Sequence, residues 1–239
     1  MPTLSRMEPS AASPALKGPV ERHYHAKCFF SSSNLSNVKI RFGGKNVDAH
    51  KIILARGSRY FERIFAGDGM VQYGRTVDLD DIDTEAAKGL LAWTYDTEYQ
   101  LKDRYIDKAG LTYVPKTTVE AQQYAVYLID LYVAANTYEV SKLAALVELR
   151  VDRVFGDVIC ETCYGERAGA HASEVASRLY TDRGLVKQGL HDLRRIFVNH
   201  FEHEYRTQVD VSLLEEMLLD CPGLAVDMLR RLAKRDESH

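Results

Sequence analysis

The chain has 239 residues, of which 46% are hydrophobic and 27% are charged, and this ordinary mixture excludes a fibrous or wholly disordered protein. Such a length suits one large domain, or one medium domain followed by a smaller one. The formal net charge of −3 gives no overall basic field, so we expect neither direct nucleic-acid binding nor membrane association.

Cysteine content and apolar runs indicate the compartment. Four cysteines are few for a disulfide framework in a chain of this length. The first twenty residues lack the apolar core of a signal peptide, and no run approaches the roughly 20 apolar residues of a membrane span. We therefore expect an intracellular protein, cytoplasmic or nuclear.

The N-terminal region divides into a tail and a strand pair. Residues 1–20 are rich in Ser, Pro and Ala and predict a disordered tail. Residues 21–34 show no clear period. The sequence VKIRF at 38–42 alternates apolar and polar side chains, which predicts a half-buried strand. Gly43 and Gly44 then favour a hairpin turn into a second strand.

A helical period follows this hairpin. Ile53 and Leu54 belong to a first helix, Gly57 interrupts it, and Ser58 is suited to cap a second short helix. TVDLDD at 76–81 predicts a third strand. Asp83 or Thr84 is suited to cap the helix after that strand.

The remainder of the chain is mainly helical. Residues 100–120 are polar, lack a period and contain Pro115, which predicts a loop insertion. Two long amphipathic segments follow, with Ser141 as the expected cap of the second, and helical patterns continue to the end. The order predicts an α+β fold with a small early sheet and a helical majority. Its expected core is Val38, Ile40, Val47, Ile53, Leu54, Phe61, Phe65, Leu91, Trp93, Leu131 and Tyr138.

Asp48, His50 and Ser58 have the residue types of a nucleophilic triad within eleven residues. The sequence around Ser58 lacks the second glycine of the G-x-S-x-G elbow, although geometry rather than motif defines a triad. A strand end, a junction histidine and a capping serine account for the three residues without chemistry. We expect no catalytic residues here and no enzyme.

The candidate metal and redox motifs are incomplete. Cys160 and Cys163 form a CxxC, but a structural zinc site needs two more ligands and a redox site needs a βαβ context. His200 and His203 stand at i, i+3, whereas zinc proteases use i, i+4. The aspartates of 78–83 fail the EF-hand spacing. We predict no metal and no cofactor.

The basic run at 230–235 has two interpretations. Lys and Arg are favoured at helix C-termini by the helix dipole, which is the reading we prefer. The alternative is a nuclear import signal.

Three segments together resemble the BTB/POZ domain. Residues 36–65 are similar to its opening strand and hairpin, its Ala-His-Lys motif and its Ser-x-x-Phe motif. Residues 76–99 resemble its third strand and following helix. Residues 128–151 resemble its paired helices built around Ala-x-x-Tyr-x-Val-x-x-Leu. The insertion and the C-terminal helices further resemble BTB proteins of filamentous fungi.

This resemblance implies a BTB/POZ fold, with a small three-stranded or larger mixed sheet flanked by a helical cluster. The expected division is a BTB/POZ domain at 35–155 and an all-helical extension at 156–239. It also implies a protein–protein interaction module, either a substrate adaptor that binds the cullin scaffold of a ubiquitin ligase or a module that binds a second copy of the chain. The alternative is a nuclear transcriptional co-regulator that recruits partners through the same domain.

The resemblance also assigns contact residues. Asn37 stands where the family usually has an aspartate near the dimer groove, so the groove lacks that charge here. Met70 and Gln72 match a hydrophobic-x-Glu cullin motif, with an amide replacing the carboxylate and giving up a charge-assisted hydrogen bond. The residues expected at a partner surface are Met70, Gln72, Tyr95, Tyr99 and Tyr124.

Overall fold

The computed structural model describes residues 32–66, 76–96, 99–101, 104–106, 114–159, 168–180, 190–205 and 211–236. Within these ranges the chain forms two small β-sheets and a majority of helix. The elements in chain order are β1 (Val38–Phe42), β2 (Lys45–Ala49), α1 (Lys51–Gly57), α2 (Arg59–Ala66), β3 (Thr76–Asp78), α3 (Thr84–Tyr95), β4 (Tyr99–Leu101), β5 (Arg104–Ile106), α4 (Thr118–Thr137), α5 (Ser141–Ile159), α6 (Ala168–Tyr180), α7 (His191–Tyr205), α8 (Val211–Asp220) and α9 (Pro222–Asp236).

The larger sheet has the strand order β2-β1-β3, with β1 antiparallel to β2 and parallel to β3. Along β1 the apolar side chains are buried and Lys39 and Arg41 are exposed, because successive side chains of a strand point to opposite faces. Lys39 pairs with Asp48 on β2, and Arg41 pairs with Asp78 on β3. The predicted alternation and the mixed three-stranded sheet are confirmed.

The β1–β2 turn depends on two glycines with positive φ. Gly43 has φ 51° and Gly44 has φ 72°, a backbone region that glycine enters without the steric penalty of a Cβ. A Cβ at Gly43 would lie 2.6 Å from Oγ1 of Thr84, whereas one at Gly44 would meet nothing within 4 Å. The turn therefore packs closely against Thr84, the first residue of α3, at Gly43 but not at Gly44.

Two helices begin at the capping residues that the sequence predicts. The Ser58 hydroxyl accepts a hydrogen bond from the Phe61 amide at the start of α2. The Asp83 carboxylate accepts from two amides of the first turn of α3. The expectation for Ser141 is wrong, because Ser141 is already the first residue of α5 and the carbonyl of Val140 accepts the first helical bonds.

One continuous hydrophobic core runs from β1 to α9. Helix α4 lies in its centre and packs against α3, α5 and α6. The predicted core is confirmed: seven of its residues are buried, and Val47, Ile53, Phe65 and Trp93 are partly buried against it. The predicted division after residue 155 falls inside α5, which continues to Ile159.

The region predicted as a loop at 100–120 contains regular structure. β4 and β5 pair as a short antiparallel hairpin, and α4 already begins at Thr118. Each of these strands has three residues, too few for an alternating pattern to be visible in the sequence. The loop interpretation is corrected at these positions.

A partly buried ion pair joins α4 to α6. The Arg178 guanidinium donates to both carboxylate oxygens of Asp130, with Nε 2.8 Å from Oδ1. Burial raises the pKa of Asp130 above its ordinary value, against the opposing effect of Arg178.

None of the helices in the described ranges combines the length and apolarity needed to span a bilayer.

Candidate interaction surfaces

The junction between β2 and α1 is organised around His50, which is buried. Its backbone N–H donates to the Tyr95 hydroxyl at 2.8 Å, and its Nδ1 lies 3.1 Å from the same oxygen. Its Nε2 lies 2.8 Å from the carbonyl oxygen of Asn34. Because a carbonyl only accepts, Nε2 carries the hydrogen, and Nδ1 accepts from the tyrosine in the neutral ring.

Asn37 also holds this junction, through hydrogen bonds to the end of β2 and the start of α1. Its Oδ1 accepts a hydrogen bond from the Lys51 amide at 2.9 Å, and its backbone N–H donates to the Ala49 carbonyl at 3.1 Å. The amide side chain thus satisfies one of the unpaired N–H groups at the start of α1. Its assignment to a dimer groove stays a prediction.

Two large apolar side chains project from this junction. Leu35 is 81% exposed and Ile52 is 79% exposed. Leu35 follows Asn34, whose carbonyl bonds to His50, the N-cap of α1. Ile52 is the second residue of α1, so both residues belong to the N-terminal end of that helix. We call this surface the Leu35–Ile52 face.

Leu35 also has φ 60°, in the left-handed region that a leucine rarely adopts. Backbone strain of this kind persists only where the surroundings hold it, here through the bonds to Asn34 and Asn37. The sequence prediction missed this face. A helical wheel of α1 would have indicated Ile52, since the buried Leu54 lies on another side, but nothing in the sequence signals the turn at Leu35.

Two of the tyrosines expected at a partner surface lie in the core. Tyr95 is 1% exposed and its burial raises the pKa of its hydroxyl to about 12. Tyr124 is 2% exposed, with the Arg150 guanidinium 5.6 Å from its ring centre. Neither side chain offers surface to a partner, so the sequence-based assignment is corrected for both.

The other expected contact residues stay predictions. Tyr99 begins β4, and its side chain lies outside the described residues. Met70 and Gln72 fall in 67–75, which also lies outside them.

The three residues with triad chemistry have separate partners. Asp48 forms its ion pair with Lys39, while Ser58 donates to the backbone carbonyl of Tyr138. His50 serves the junction described above. The interpretation as a strand end, a junction histidine and a capping serine accounts for the contacts of all three residues.

The remaining motifs are structural where they are described. His200 bonds through Nε2 to Asp152 on α5 at 3.0 Å. Within the described ranges, no three His, Cys, Asp or Glu side chains gather closely enough to hold a metal ion, and Cys160 and Cys163 lie outside those ranges. In the basic run, Arg231 pairs with the buried Glu202, and Arg230 lies 3.6 Å from Asp227.

Comparison with known proteins gives one positive finding. The family model described as the BTB/POZ domain matches residues 27–149, just over half of the chain. That range contains both sheets, α1 to α4 and the first half of α5. No curated protein matches the chain, so the further resemblance to fungal proteins stays a prediction.

Proposed function

We propose, since this chain belongs to the BTB/POZ domain family, that it is a protein-interaction module that joins two copies through the Leu35–Ile52 face. BTB/POZ domains generally mediate protein–protein interaction and are typically without enzymatic activity. The observation that carries the proposal is the exposure of two large apolar side chains beside a rigid, fully hydrogen-bonded junction.

The rigidity of the junction supports this use of the face. His50 and Asn37 fix the backbone on both sides of Leu35, and α1 fixes Ile52. A surface that is already ordered loses little conformational entropy when a partner covers it. Two identical faces related by a twofold axis would bury both apolar side chains of each copy.

The free energies gained and lost on association predict a dimer whose population depends on protein concentration. Burying one leucine or isoleucine side chain contributes roughly 1.5–3 kcal/mol, so the four side chains of two copies contribute on the order of 6–12 kcal/mol. The loss of translational and rotational freedom costs roughly 4–15 kcal/mol. Because these terms are similar in size, we expect monomer and dimer to exchange within an accessible concentration range.

Analytical ultracentrifugation of the full chain tests this proposal. The average mass of the native chain should rise with concentration towards twice the monomer mass, while L35D/I52D should stay monomeric. Leu149→Asp is the control, because Leu149 is 73% exposed on a different helix, α5. Association of L35D/I52D at the native strength, or its loss in Leu149→Asp, would count against the proposal.

A cullin scaffold is the second proposed partner. Its support is the family resemblance of Met70 and Gln72, since the two described tyrosines assigned to that contact are buried. Affinity purification from the native cell should recover a cullin with the native chain and lose it with Met70→Glu. Copurification that survives Met70→Glu would remove this assignment.

The role of a nuclear co-regulator has less support. Its import signal would be the basic run 230–235, in which Arg231 forms an ion pair with the buried Glu202 of α7. Nuclear accumulation that depends on this run would favour the co-regulator, and unchanged localisation after its neutralisation would argue against it.

A further inference from the structure

The C-terminal helices α7 and α9 enclose a cleft of about 350 Å³. From α7 it is lined by His191, Arg194, Arg195 and Val198, and from α9 by Asp227, Arg230 and Arg231. We call it the α7–α9 cleft. Its lining combines four arginines with one aspartate, which is opposite in sign to the net charge of the whole chain.

Two of the arginines are fixed as walls of the cleft. The Arg194 guanidinium lies 4.8 Å from the Tyr180 ring centre, and its Nε donates to the Leu179 carbonyl at 2.9 Å. Arg231 donates through Nε to Glu202, whose carboxylate is buried. These contacts hold both arginines in place, so the guanidinium groups that a ligand can reach are those at the rim of the cleft.

Two further arginines stand at the rim, one on each helix. Arg195 is 58% exposed and lies 3.4 Å from Asp192 and 4.0 Å from Glu148. Arg230 is 74% exposed and lies 3.6 Å from Asp227. Charge-assisted hydrogen bonds are shorter, about 2.7–2.9 Å, and exposed pairs of this kind contribute roughly 0–1 kcal/mol. A bidentate carboxylate from outside can therefore compete for both guanidinium groups.

The aspartate in the lining is already engaged. Its Oδ2 accepts a hydrogen bond from the Tyr180 hydroxyl at 3.0 Å, while its Oδ1 faces Arg230. Asp227 thus opposes an incoming anion less than an unpaired carboxylate would.

An apolar strip continues from the rim along α9. Val226 lies one helical turn before Arg230, and Leu229 directly precedes it. Val226 is 44% exposed and Leu229 is 66% exposed. Cationic and apolar surface are therefore contiguous, which suits a ligand that carries both acidic and apolar side chains.

We propose that the α7–α9 cleft docks an acidic peptide segment of a partner protein, with carboxylates on Arg195 and Arg230 and apolar side chains on Val226 and Leu229. This site is on the C-terminal helices and is independent of the Leu35–Ile52 face, so it would give the module a second, chemically different partner.

Fluorescence anisotropy with the full chain tests the site. The probe is a fluorescein-labelled peptide of glutamates interspersed with leucines, and its comparison is the same peptide with glutamine for glutamate. R195Q/R230Q should weaken binding about tenfold or more, because two charge-assisted hydrogen bonds are lost. R59Q/R63Q is the matched control, since it removes the same charge from exposed arginines on α2. Leu229→Ser should also weaken binding, and circular dichroism should show all variants folded.

Each outcome decides the question. Saturable binding of the acidic peptide that R195Q/R230Q weakens and R59Q/R63Q does not would support the site. Equal weakening by both pairs, equal binding of the glutamine peptide or the absence of saturable binding would overturn it. Tighter binding of a DNA duplex at the same arginines would also overturn it in favour of a nucleic-acid ligand.

Discussion

The hydroxyl of Ser58 donates a hydrogen bond to the backbone carbonyl of Tyr138, 80 residues further along the chain, at 2.5 Å. The same oxygen accepts from the Phe61 amide at 3.1 Å. The Phe61 ring in turn stacks on the Tyr138 ring, with the centroids 5.7 Å apart. One buried hydroxyl therefore both caps α2 and fixes the corner between α1 and α2 to the end of α4.

Replacing this hydroxyl should destabilise the fold. Ser58→Ala removes a helix cap, at roughly 0.5–2 kcal/mol, and leaves a buried carbonyl without its donor, at roughly 1–3 kcal/mol. We expect the free energy of unfolding to fall by about 2–4 kcal/mol in urea denaturation. The control is Ser141→Ala, because Ser141 is exposed and the cap position belongs to Val140; its effect should stay within about 0.5 kcal/mol.

The two glycines of the β1–β2 turn should differ in their tolerance of alanine. Gly44→Ala should cost about 1–2 kcal/mol, because it forces a Cβ into the left-handed region without any contact. Gly43→Ala adds a clash with the Thr84 side chain and should cost more. Thermal unfolding of both variants measures the difference, and the second substitution Thr84→Ala should relieve part of it. Equal losses at the two positions would contradict the seating of the turn against α3.

Alkaline titration should reveal the buried hydroxyl of Tyr95. Its pKa is raised to about 12, so between about pH 10 and 12 the folded chain holds a proton that the unfolded chain has released. The free energy of unfolding of the native chain therefore falls as pH rises through this window. Tyr95→Phe lacks this contribution, while Tyr132, Tyr138 and Tyr180, whose pKa values burial also raises, keep theirs.

The measurement is urea unfolding of the native chain and Tyr95→Phe at a series of pH values. Below about pH 10 the native chain should be more stable by roughly 1–3 kcal/mol, because the variant leaves the His50 amide without its acceptor. That advantage should shrink as pH approaches 12. An advantage that grows with pH would show that the tyrosine is not buried as a neutral group.

Two helical glycines should respond to alanine in opposite directions. Helix propensity favours alanine over glycine by roughly 0.8–1 kcal/mol in a helix interior. Gly223 is the second residue of α9 and so lies outside the helix interior. A Cβ there would lie 2.7 Å from Cδ1 of Tyr180, so Gly223→Ala should lower stability. At Gly156 the nearest neighbour is 3.4 Å away in His200, which is partly exposed, so Gly156→Ala should be neutral or stabilising. Differential scanning calorimetry compares the two, and stabilisation by both would show that α9 tolerates a shift from α6.

The sequence predicted most clearly those features that repeat over short distances. The alternation of Val38, Ile40 and Phe42 located β1, and the positions of Ser58 and Asp83 located two caps, because each signal lies within a few residues. The three-residue strands β4 and β5 were missed since their hairpin is too short to show a period.

Features that depend on residues distant in the sequence were not predictable. Tyr95 was expected at a surface, but its hydroxyl pairs with His50, 45 residues earlier, and this pairing places it in the core. The α7–α9 cleft likewise requires α9 to return beside α7, which no local pattern specifies. Leu35 acquires its exposed position from a turn held by His50 and the start of α1.

The position of α5 has a consequence for the size of the cooperative folding unit. The family match ends at residue 149, in the middle of a helix that continues to Ile159. A fragment ending there would lose Val151, Val154 and Phe155, which are completely buried, and would separate Asp130 from Arg178. The recognisable domain and the C-terminal helices therefore share one interior, and heat should melt them in a single transition. Changes in the C-terminal helices should then affect the proposed Leu35–Ile52 face through the stability of the whole chain.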